Sequence, residues 1–359
     1  MGTEAALDEA RVEAFAGKLI DMYAASTVTL MIDLAHRNGL FEALAAGPGT
    51  SEALADRAGL QERYVRECLA ALATSGLVEY EPSDHRYTLP AEHAVCLTGE
   101  GSMNMSTFAQ ITTLLAKHVD GVSRAFKEGG GVPYEDFRPE FTEVMDAESR
   151  GTFDGQLLTG MLPLVDGLPE RLEAGGVRAA DVGCGTGHAI NLMARAYPKS
   201  TFVGYDLAPE PIERARAEAA EYGVSNATFE VRDIAELPAR PPFDVIFAFD
   251  SIHDQAAPQA VLDRVCEALV PGGLFVMVDV RVSSRLEENI GNPLAPWVYS
   301  VSTLHCMTVS LARGGAGLGT AWGEELARQM LTDAGFTDIK VHQVPDDPVN
   351  GLYVAHKPG

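Results

Sequence analysis

The residues best suited to chemistry begin with a histidine followed by an aspartate, His253-Asp254, shortly after the apolar run Phe243–Phe249. If that run is a strand, His253 lies at its carboxyl end, where ligands bind in open α/β sheets. A histidine there can accept a proton near neutral pH. A second histidine, His305, follows in a segment expected to fold over the same pocket. Two imidazoles that converge from separate elements favour metal ligation over simple base catalysis.

A glycine-rich turn supplies a second chemical signal. Gly183, Gly185 and Gly187 follow the predicted strand Val177–Val182, which contains Asp181, and a helix is predicted from about residue 188 to residue 197. Glycines let the backbone turn sharply and approach a ligand closely. Dinucleotide, phosphate and S-adenosylmethionine (SAM) sites all use such turns, so the fingerprint alone does not identify the ligand.

An acidic residue at the end of the next strand narrows the choice of ligand. Asp206 follows the predicted strand Thr201–Tyr205, where a carboxylate can hold a ribose diol. Two more predicted strands, Ala227–Val231 and Phe243–Phe249, precede a Pro-Gly-Gly turn within Leu269–Val278. This succession closely resembles the class I SAM-dependent methyltransferases, although a generic dinucleotide-binding domain is the alternative.

The resemblance implies an α/β fold with a Rossmann-like seven-stranded sheet, whose last two strands form its antiparallel end. It also implies SAM as the cofactor, with the glycine turn under the methionine part, Asp206 on the ribose hydroxyls, and Asp233 and Ile234 beside adenine. The residues assigned to the cofactor on this basis are Asp181, Gly183, Gly185, Gly187, Asp206, Leu207, Asp233, Ile234, Phe249 and Asp250.

The first part of the chain, residues 1–98, has the order helix, helix, helix, hairpin, which is typical of a winged-helix domain. Such a domain binds DNA in some proteins and serves dimerisation and substrate covering in others. It carries seven Lys and Arg residues against fifteen Asp and Glu residues, a net charge of −8. This is the wrong sign for a phosphate-binding surface. Apolar residues cover more than one side of the helix predicted over residues 9–37, which predicts a homodimer interface there.

Residues 99–170 are predicted as a helical linker that roofs the substrate pocket, with a helix over about residues 102–127. Residues 171–359 form the predicted SAM-binding domain, with an insertion at 281–319 whose middle, 295–312, should be helical. A helix is predicted over residues 321–334, with Thr320 as its N-cap. Arg124 and Arg138 are the candidates to bind a substrate carboxylate, of which Arg138 is preferred, and Trp297 could line the pocket.

Composition limits the partners. The formal net charge of −24 and the sequence pI of about 4.7 disfavour nucleic acid and anionic membranes, so a small-molecule substrate is expected. Five scattered cysteines argue against a disulfide framework. The N-terminal residues lack the pattern of a signal peptide, and the most apolar helical stretch, 22–32, is too short to span a bilayer. A cytoplasmic protein is expected.

Two further resemblances suggest different reactions. His253-Asp254 resembles the His-Asp-Trp segment of plant-type O-methyltransferases, in which the histidine deprotonates a substrate hydroxyl. Here Gln255 replaces the tryptophan, and no acid stands in Gly317–Thr320, where those enzymes carry a carboxylate. The pair of His253 and His305 resembles the bacterial 2-oxo acid (phenylpyruvate-type) C-methyltransferases of peptide-antibiotic pathways, which hold a mononuclear metal between two histidines.

The leading hypothesis is therefore metal-assisted C-methylation of a 2-oxo acid at its β-carbon. His253 and His305 would hold one transition metal ion (Fe, Zn or Ni), and Asp254 would assist proton removal. The alternative is metal-independent O-methylation of a hydroxylated secondary metabolite, with His253 as the base. A SAM-responsive DNA-binding regulator is a third hypothesis, which the charge of residues 1–98 disfavours.

Overall fold

The computed structural model describes residues 7–99, 103–344 and 347–359. The chain divides into two compact units, Met1–Thr113 and Leu114–Gly359. These two units do not test the predicted domain boundaries at residues 98 and 170, which stay a prediction.

The first unit is helical with one small hairpin. Its helices are α1 (Glu9–Arg37), α2 (Leu40–Ala45), α3 (Ser51–Ala58), α4 (Glu62–Thr74), α5 (Ala91–Leu97) and α6 (Ser106–Ala116, which continues into the second unit), and its antiparallel strands are β1 (Glu79–Glu81) and β2 (Arg86–Thr88). Thr50 caps α3 by accepting from the amide of Ala53, and Gly59 ends it in the left-handed conformation. Leu54 and Leu69 lie in its buried core. The predicted winged-helix order is confirmed.

The second unit contains one sheet and the helices that flank it. Its helices are α7 (Val119–Glu128), α8 (Tyr134–Phe137), α9 (Glu140–Thr152), α10 (Leu168–Ala174), α11 (His188–Ala196), α12 (Pro209–Glu221), α13 (Pro258–Ala268), α14 (Leu286–Asn289), α15 (Ala295–Val301), α16 (Met307–Ala312) and α17 (Glu324–Asp333). Two π-helical segments, Phe153–Met161 and Ser302–Cys306, continue α9 and join α15 to α16.

The sheet has seven strands: β3 (Arg178–Val182), β4 (Thr201–Asp206), β5 (Ala227–Val231), β6 (Phe243–Phe249), β7 (Leu269–Val280), β8 (Thr337–Gln343) and β9 (Asn350–His356). Their order is β5-β4-β3-β6-β7-β9-β8. The first five pair in parallel, and β9 pairs antiparallel to both β7 and β8. Apolar clusters cover both faces, as the largely apolar sequences of the central strands β6 and β7 predict. The predicted seven-stranded α/β fold is confirmed.

The topology also places the site. The chain runs outward from β3 through β4 to β5 and then returns to β6 on the other side of β3. Ligands in doubly wound sheets bind at this switch point, outside the carboxyl ends of the strands. The glycine turn after β3 and the His253 segment after β6 therefore meet at one edge.

Three local predictions can be compared with the structure. The helix predicted over residues 102–127 is divided into α6 and α7, and residue 102 lies outside the described residues. The helix predicted from residue 321 begins only at Glu324, after Gly323 with φ 80°, so Thr320 is not its N-cap. The Ser284 hydroxyl instead accepts from the amide of Leu326 at 2.9 Å. The middle of the insertion, 295–312, is helical as predicted.

Among the described residues, no helix combines the length and the apolar character needed to cross a membrane.

Candidate active site

The glycine turn forms a cradle that side chains would fill. Gly183 has φ 79°, and a Cβ there would lie 2.4 Å from the Cβ of Ser251. Gly187 has φ 71°, and its Cβ would lie 2.5 Å from Cε1 of Phe229. Gly185 also has a positive φ, of 52°, but a Cβ would meet nothing within 4 Å. The first and third glycines are thus required by both conformation and space.

Two buried carboxylates lie beside this cradle. Asp206 ends β4, and its two oxygens accept from the amides of Gly185 and Ala208, each at 2.9 Å. Burial raises the pKa of Asp206 despite these hydrogen bonds. Asp181 is 1 % exposed, and its Oδ1 has no hydrogen-bond partner among the described residues. Burial, reinforced by the charge of Asp206, raises the pKa of Asp181 to about 8. An unpartnered acceptor and a glycine cradle fit a bound SAM.

The other predicted cofactor residues lie at the ends of β4, β5 and β6. Leu207 is 37 % exposed, whereas Ile234 is buried. Asp233 accepts from the amide of Ala235 at 2.9 Å and so begins the short 3-10 helix Ile234–Glu236. Phe249 packs edge-on to Phe153, with ring centroids 5.0 Å apart.

Asp250, the last of these residues, has an unusual backbone. Its φ of 48° lies in the left-handed region that glycine favours. Burial and the charge of Asp279 raise the pKa of Asp250 well above its ordinary value. The turn that follows β6 is therefore held in a strained conformation immediately before the His253 segment.

His253 is held by a buried carboxylate that the sequence analysis did not identify. Its Nδ1 lies 2.9 Å from both Oδ1 and Oδ2 of Asp279, near the end of β7. His253 is 4 % exposed and Asp279 is fully buried. The carboxylate requires a proton on Nδ1, which leaves Nε2 as the acceptor of the neutral ring. Burial alone would lower the pKa of His253, but Asp279 and Asp254 raise it well above its ordinary value.

Asp254 lies between the two predicted histidines. Its Oδ1 is 3.3 Å from Nε2 of His253, and its Oδ2 is 3.8 Å from Nδ1 of His305. Within the described chain, neither His305 nitrogen has a hydrogen-bond partner, and neither does Oδ1 of Asp254. Burial lowers the pKa of His305 to about 4, so this ring is neutral with an available lone pair. The structure therefore brings the three predicted catalytic residues together.

Aromatic rings surround His305. Phe141 of α9 stacks on it with centroids 3.7 Å apart and planes 8° apart. Phe137 and Tyr134 of α8 meet it edge-on, at 4.7 and 6.0 Å. Burial, with the charge of Asp206, raises the pKa of Tyr134, which keeps its phenol neutral. The roof over the site is thus largely aromatic.

Among the described residues, two groups of side chains could ligate a metal ion. The ligand atoms of His253, Asp254 and Cys306 lie within 4.8 Å of one another, as do those of Asp250, His253 and Asp279. His305, a predicted metal ligand, does not belong to either group, although it faces Asp254. Burial raises the pKa of the Cys306 thiol to about 12, so this thiol is protonated unless a metal ion binds it.

The predicted substrate-binding residues lie elsewhere in the second unit. Arg138 Nη1 donates to Glu210 at the start of α12, at 3.1 Å, and its charge acts on Asp206. This places Arg138 at the cofactor end of the site. Arg124 lines a cavity of about 300 Å³ beside α7. Trp297 packs against a small cluster that includes Val280, close to Asp279 in sequence.

Two family models each match a part of this chain. Residues 174–335 match the family described as "Methyltransferase domain", and residues 26–99 match the "Rv2258c-like winged HTH domain". A curated relative, the trans-aconitate 2-methyltransferase of Methylobacterium nodulans, is 30% identical over 35% of this chain and 46% of its own length. The chain thus spans about half the length of the curated relatives it matches.

Solved structures resemble nearly the whole chain. The mitomycin 7-O-methyltransferase MmcR has a TM-score of 0.69 at 20% identity, covering 97% of this chain and 100% of that one. Human N-acetylserotonin methyltransferase in complex with SAM has a TM-score of 0.69 at 18% identity, covering 100% of both chains. At these identities the likeness establishes the fold.

Proposed function

We propose that this protein, a class I SAM-dependent methyltransferase with an N-terminal winged helix-turn-helix domain, methylates a hydroxyl oxygen of a small secondary metabolite. The observation that carries the proposal is the buried pair of His253 and Asp279 at the carboxyl edge of the sheet. When bound, SAM supplies an electrophilic methyl group. The glycine cradle, Asp181 and Asp206 would hold it.

The pair has the parts that a general base needs. Asp279 fixes the ring orientation and keeps a proton on Nδ1. Because Asp279 and Asp254 also raise the pKa of His253, the ring must first release its second proton, and Nε2 of the neutral ring then accepts the proton of the acceptor hydroxyl. The same carboxylate stabilises the imidazolium that results. Burial of both side chains strengthens this interaction, because the surrounding medium is weakly polarisable.

The structural relatives support an oxygen acceptor. MmcR is named as a 7-O-methyltransferase of mitomycin, and its fold covers nearly the whole of this chain. This favours the O-methylation alternative of the sequence analysis over its leading hypothesis of C-methylation.

A second candidate, metal-assisted C-methylation of a 2-oxo acid, is favoured by one observation. The two nitrogens of His305 and Oδ1 of Asp254 are buried without hydrogen-bond partners among the described residues. Such atoms are costly unless a ligand satisfies them. His253 and Asp254 would hold the ion, and His305, which faces Asp254, would join them by moving closer, as neutral imidazoles and a carboxylate suit several transition metals. A bound ion would supply a Lewis acid.

The same orientation of His253 serves both candidates, because a metal-bound histidine also donates its other nitrogen to a carboxylate. Metal content therefore separates them. We expect untagged protein to keep methyl transfer in the presence of a chelator, and His253→Ala to abolish it. About one metal ion per chain, lost in both His253→Ala and His305→Ala together with activity, would instead establish the second candidate.

We also propose that the protein is a homodimer through α1. Phe15, Ile20 and Tyr23 on this helix are 61%, 66% and 65% exposed. Large exposed apolar surfaces of this kind mark interaction sites. A second copy of the same helix would bury them.

A further inference from the structure

A chain of hydrogen bonds joins the roof helix α9 to the glycine turn. The Thr186 hydroxyl, between Gly185 and Gly187, donates to Oδ1 of Asp146 at 2.5 Å. Asp146 also accepts from Nη2 of Arg150, at 3.1 and 3.2 Å. The turn is thereby tied to a helix far away in sequence.

The same arginine reaches the residue that follows the turn. Arg150 Nη1 donates to Oε1 of Glu218 on α12 at 2.7 Å and lies 2.9 Å from Nδ1 of His188. The His188 ring is almost fully buried, 2.9 Å from Glu218 on one side and 2.9 Å from Asp154 on the other. Asn191 donates to Oε2 of Glu218 at 2.8 Å. These contacts link α9 and the following π-helical segment with α11 and α12.

The turn needs such external anchors. Gly185 and Gly187 have positive φ values, and nothing lies within 4 Å of the position of a Cβ on Gly185. Packing therefore does not restrict Gly185 itself, and the backbone of a glycine can adopt more conformations than that of any other residue. Besides the backbone hydrogen bond from the Gly187 amide to the Cys184 carbonyl, two side chains hold the turn. Asp206 accepts from the Gly185 amide at 2.9 Å, and Asp146 accepts from the Thr186 hydroxyl.

We propose that Asp146 and Arg150 are positioning residues for the cofactor, which hold the glycine turn in its binding shape from the roof helix. The proposal rests on the proposed function only in that the turn binds SAM. Cofactor affinity then depends on the contact of Thr186 with Asp146, although neither carboxylate nor guanidinium has to touch the cofactor.

A second ion pair provides a matched control. Glu143 of α9 accepts from Arg214 of α12 at 2.8 Å, so it joins the same two helices. Both of its side chains are about half exposed, at 52% and 47%, and it does not contact the turn. Exposed ion pairs of this kind contribute little to the free energy of folding.

The test measures the affinity of the full chain for S-adenosylhomocysteine (SAH) by calorimetry. Thr186→Val removes the hydroxyl at constant shape, and Asp146→Asn removes the charge. Each should weaken SAH binding roughly tenfold, as loss of a charged hydrogen bond predicts. The double variant should bind SAH no more weakly than the weaker of the two single variants, because both substitutions act on the same contact between Thr186 and Asp146. Thr186→Ser and Glu143→Gln should bind SAH within about twofold of wild type.

Two results would overturn the proposal: SAH binding by both single variants within twofold of wild type, or a double variant weakened by the product of the two single effects. If Thr186→Val does not fold, Asp146→Asn and Glu143→Gln carry the test, and equal SAH affinity in these two would overturn it. Wild-type protein that does not bind SAH would instead refute the cofactor assignment on which the proposed function depends.

Discussion

His253 Nδ1 lies 2.9 Å from each carboxylate oxygen of Asp279, and this pair is buried near the carboxyl ends of β6 and β7. The contact orders the ring of the proposed base. The contribution of this contact to catalysis can be measured directly, because Asp279→Asn keeps the shape of the side chain and removes its charge.

We expect Asp279→Asn to lower kcat roughly tenfold to a hundredfold, since a positioned base contributes about that much or more. SAH affinity should change little. Asp263→Asn, on the exposed side of α13, is the control and should keep the wild-type kcat. Wild-type kcat in Asp279→Asn would show that the carboxylate does not serve the base.

Substitution of His305 should affect the stability of the fold and the methyl-transfer activity differently in the two candidate functions. Its two nitrogens are buried without partners, and His305→Leu replaces them with an apolar side chain of similar size. Replacement of unsatisfied buried polar atoms is neutral or stabilising. We therefore expect the ligand-free Tm to stay the same or rise, with O-methylation retained. A variant that keeps its Tm but loses both activity and bound metal would support the metal-assisted candidate.

The glycine turn gives a matched pair of substitutions. Gly183→Ala would place a Cβ 2.4 Å from Ser251, whereas Gly185→Ala meets no atom within 4 Å. Both have positive φ, which costs about 1 kcal/mol for alanine. Gly183→Ala should therefore lower the Tm more than Gly185→Ala does, and it should abolish SAH binding. Gly185→Ala should lower the Tm less and keep part of the affinity for SAH. Equal effects would mean that conformation alone, rather than space, requires these glycines.

The environment of Glu218 predicts that the stability of the fold decreases at acidic pH. Burial raises its pKa, but hydrogen bonds from His188, Asn191 and Arg150 outweigh burial and hold it at about 2. Its folded pKa is below its unfolded value of 4.5, so its stabilisation is present above pH 4.5 and is lost as the pH falls towards 2.

In urea titrations, Glu218→Gln should lower the free energy of unfolding at neutral pH by about 1 to 2 kcal/mol after allowance for solvent screening. Its stability should also fall less steeply than that of wild type between pH 4.5 and 2. Parallel curves for the two proteins would refute this account of Glu218.

The proposed homodimer can be tested by introducing a charged residue on α1. Ile20 is 66% exposed, so Ile20→Glu should leave the monomer folded while it breaks an apolar interface. Light scattering should report a dimer for wild type and a monomer for the variant. Glu13→Gln, on the same helix, should remain dimeric. A monomeric wild type would contradict the proposal.

The sequence predicted the fold well because its signals are local. Strand β6 is apolar at every position except Asp244, and glycines at fixed spacing follow β3. The N-terminus of α17 was mispredicted because the partner of its Leu326 amide is the Ser284 hydroxyl, which comes from a distant segment.

The site could be predicted only in part. His253, Asp254 and His305 were found by their residue types, and the structure brings them together. Asp279 was missed, although an aspartate within the apolar run of β7 was an available signal. The stacking of Phe141 on His305, and the pairing of Arg138 with Glu210, depend on how α8 and α9 pack. No local pattern encodes such packing.

The most direct test of the central claim is methyl transfer from SAM with a deuterated methyl group to a panel of phenols, alcohols and 2-oxo acids. The reactions would be run with and without a chelator, and the labelled position read by NMR. The account predicts an oxygen-linked methyl group that forms in chelator and is lost in His253→Ala. A carbon-linked methyl group on a 2-oxo acid, formed only when metal is present, would contradict it.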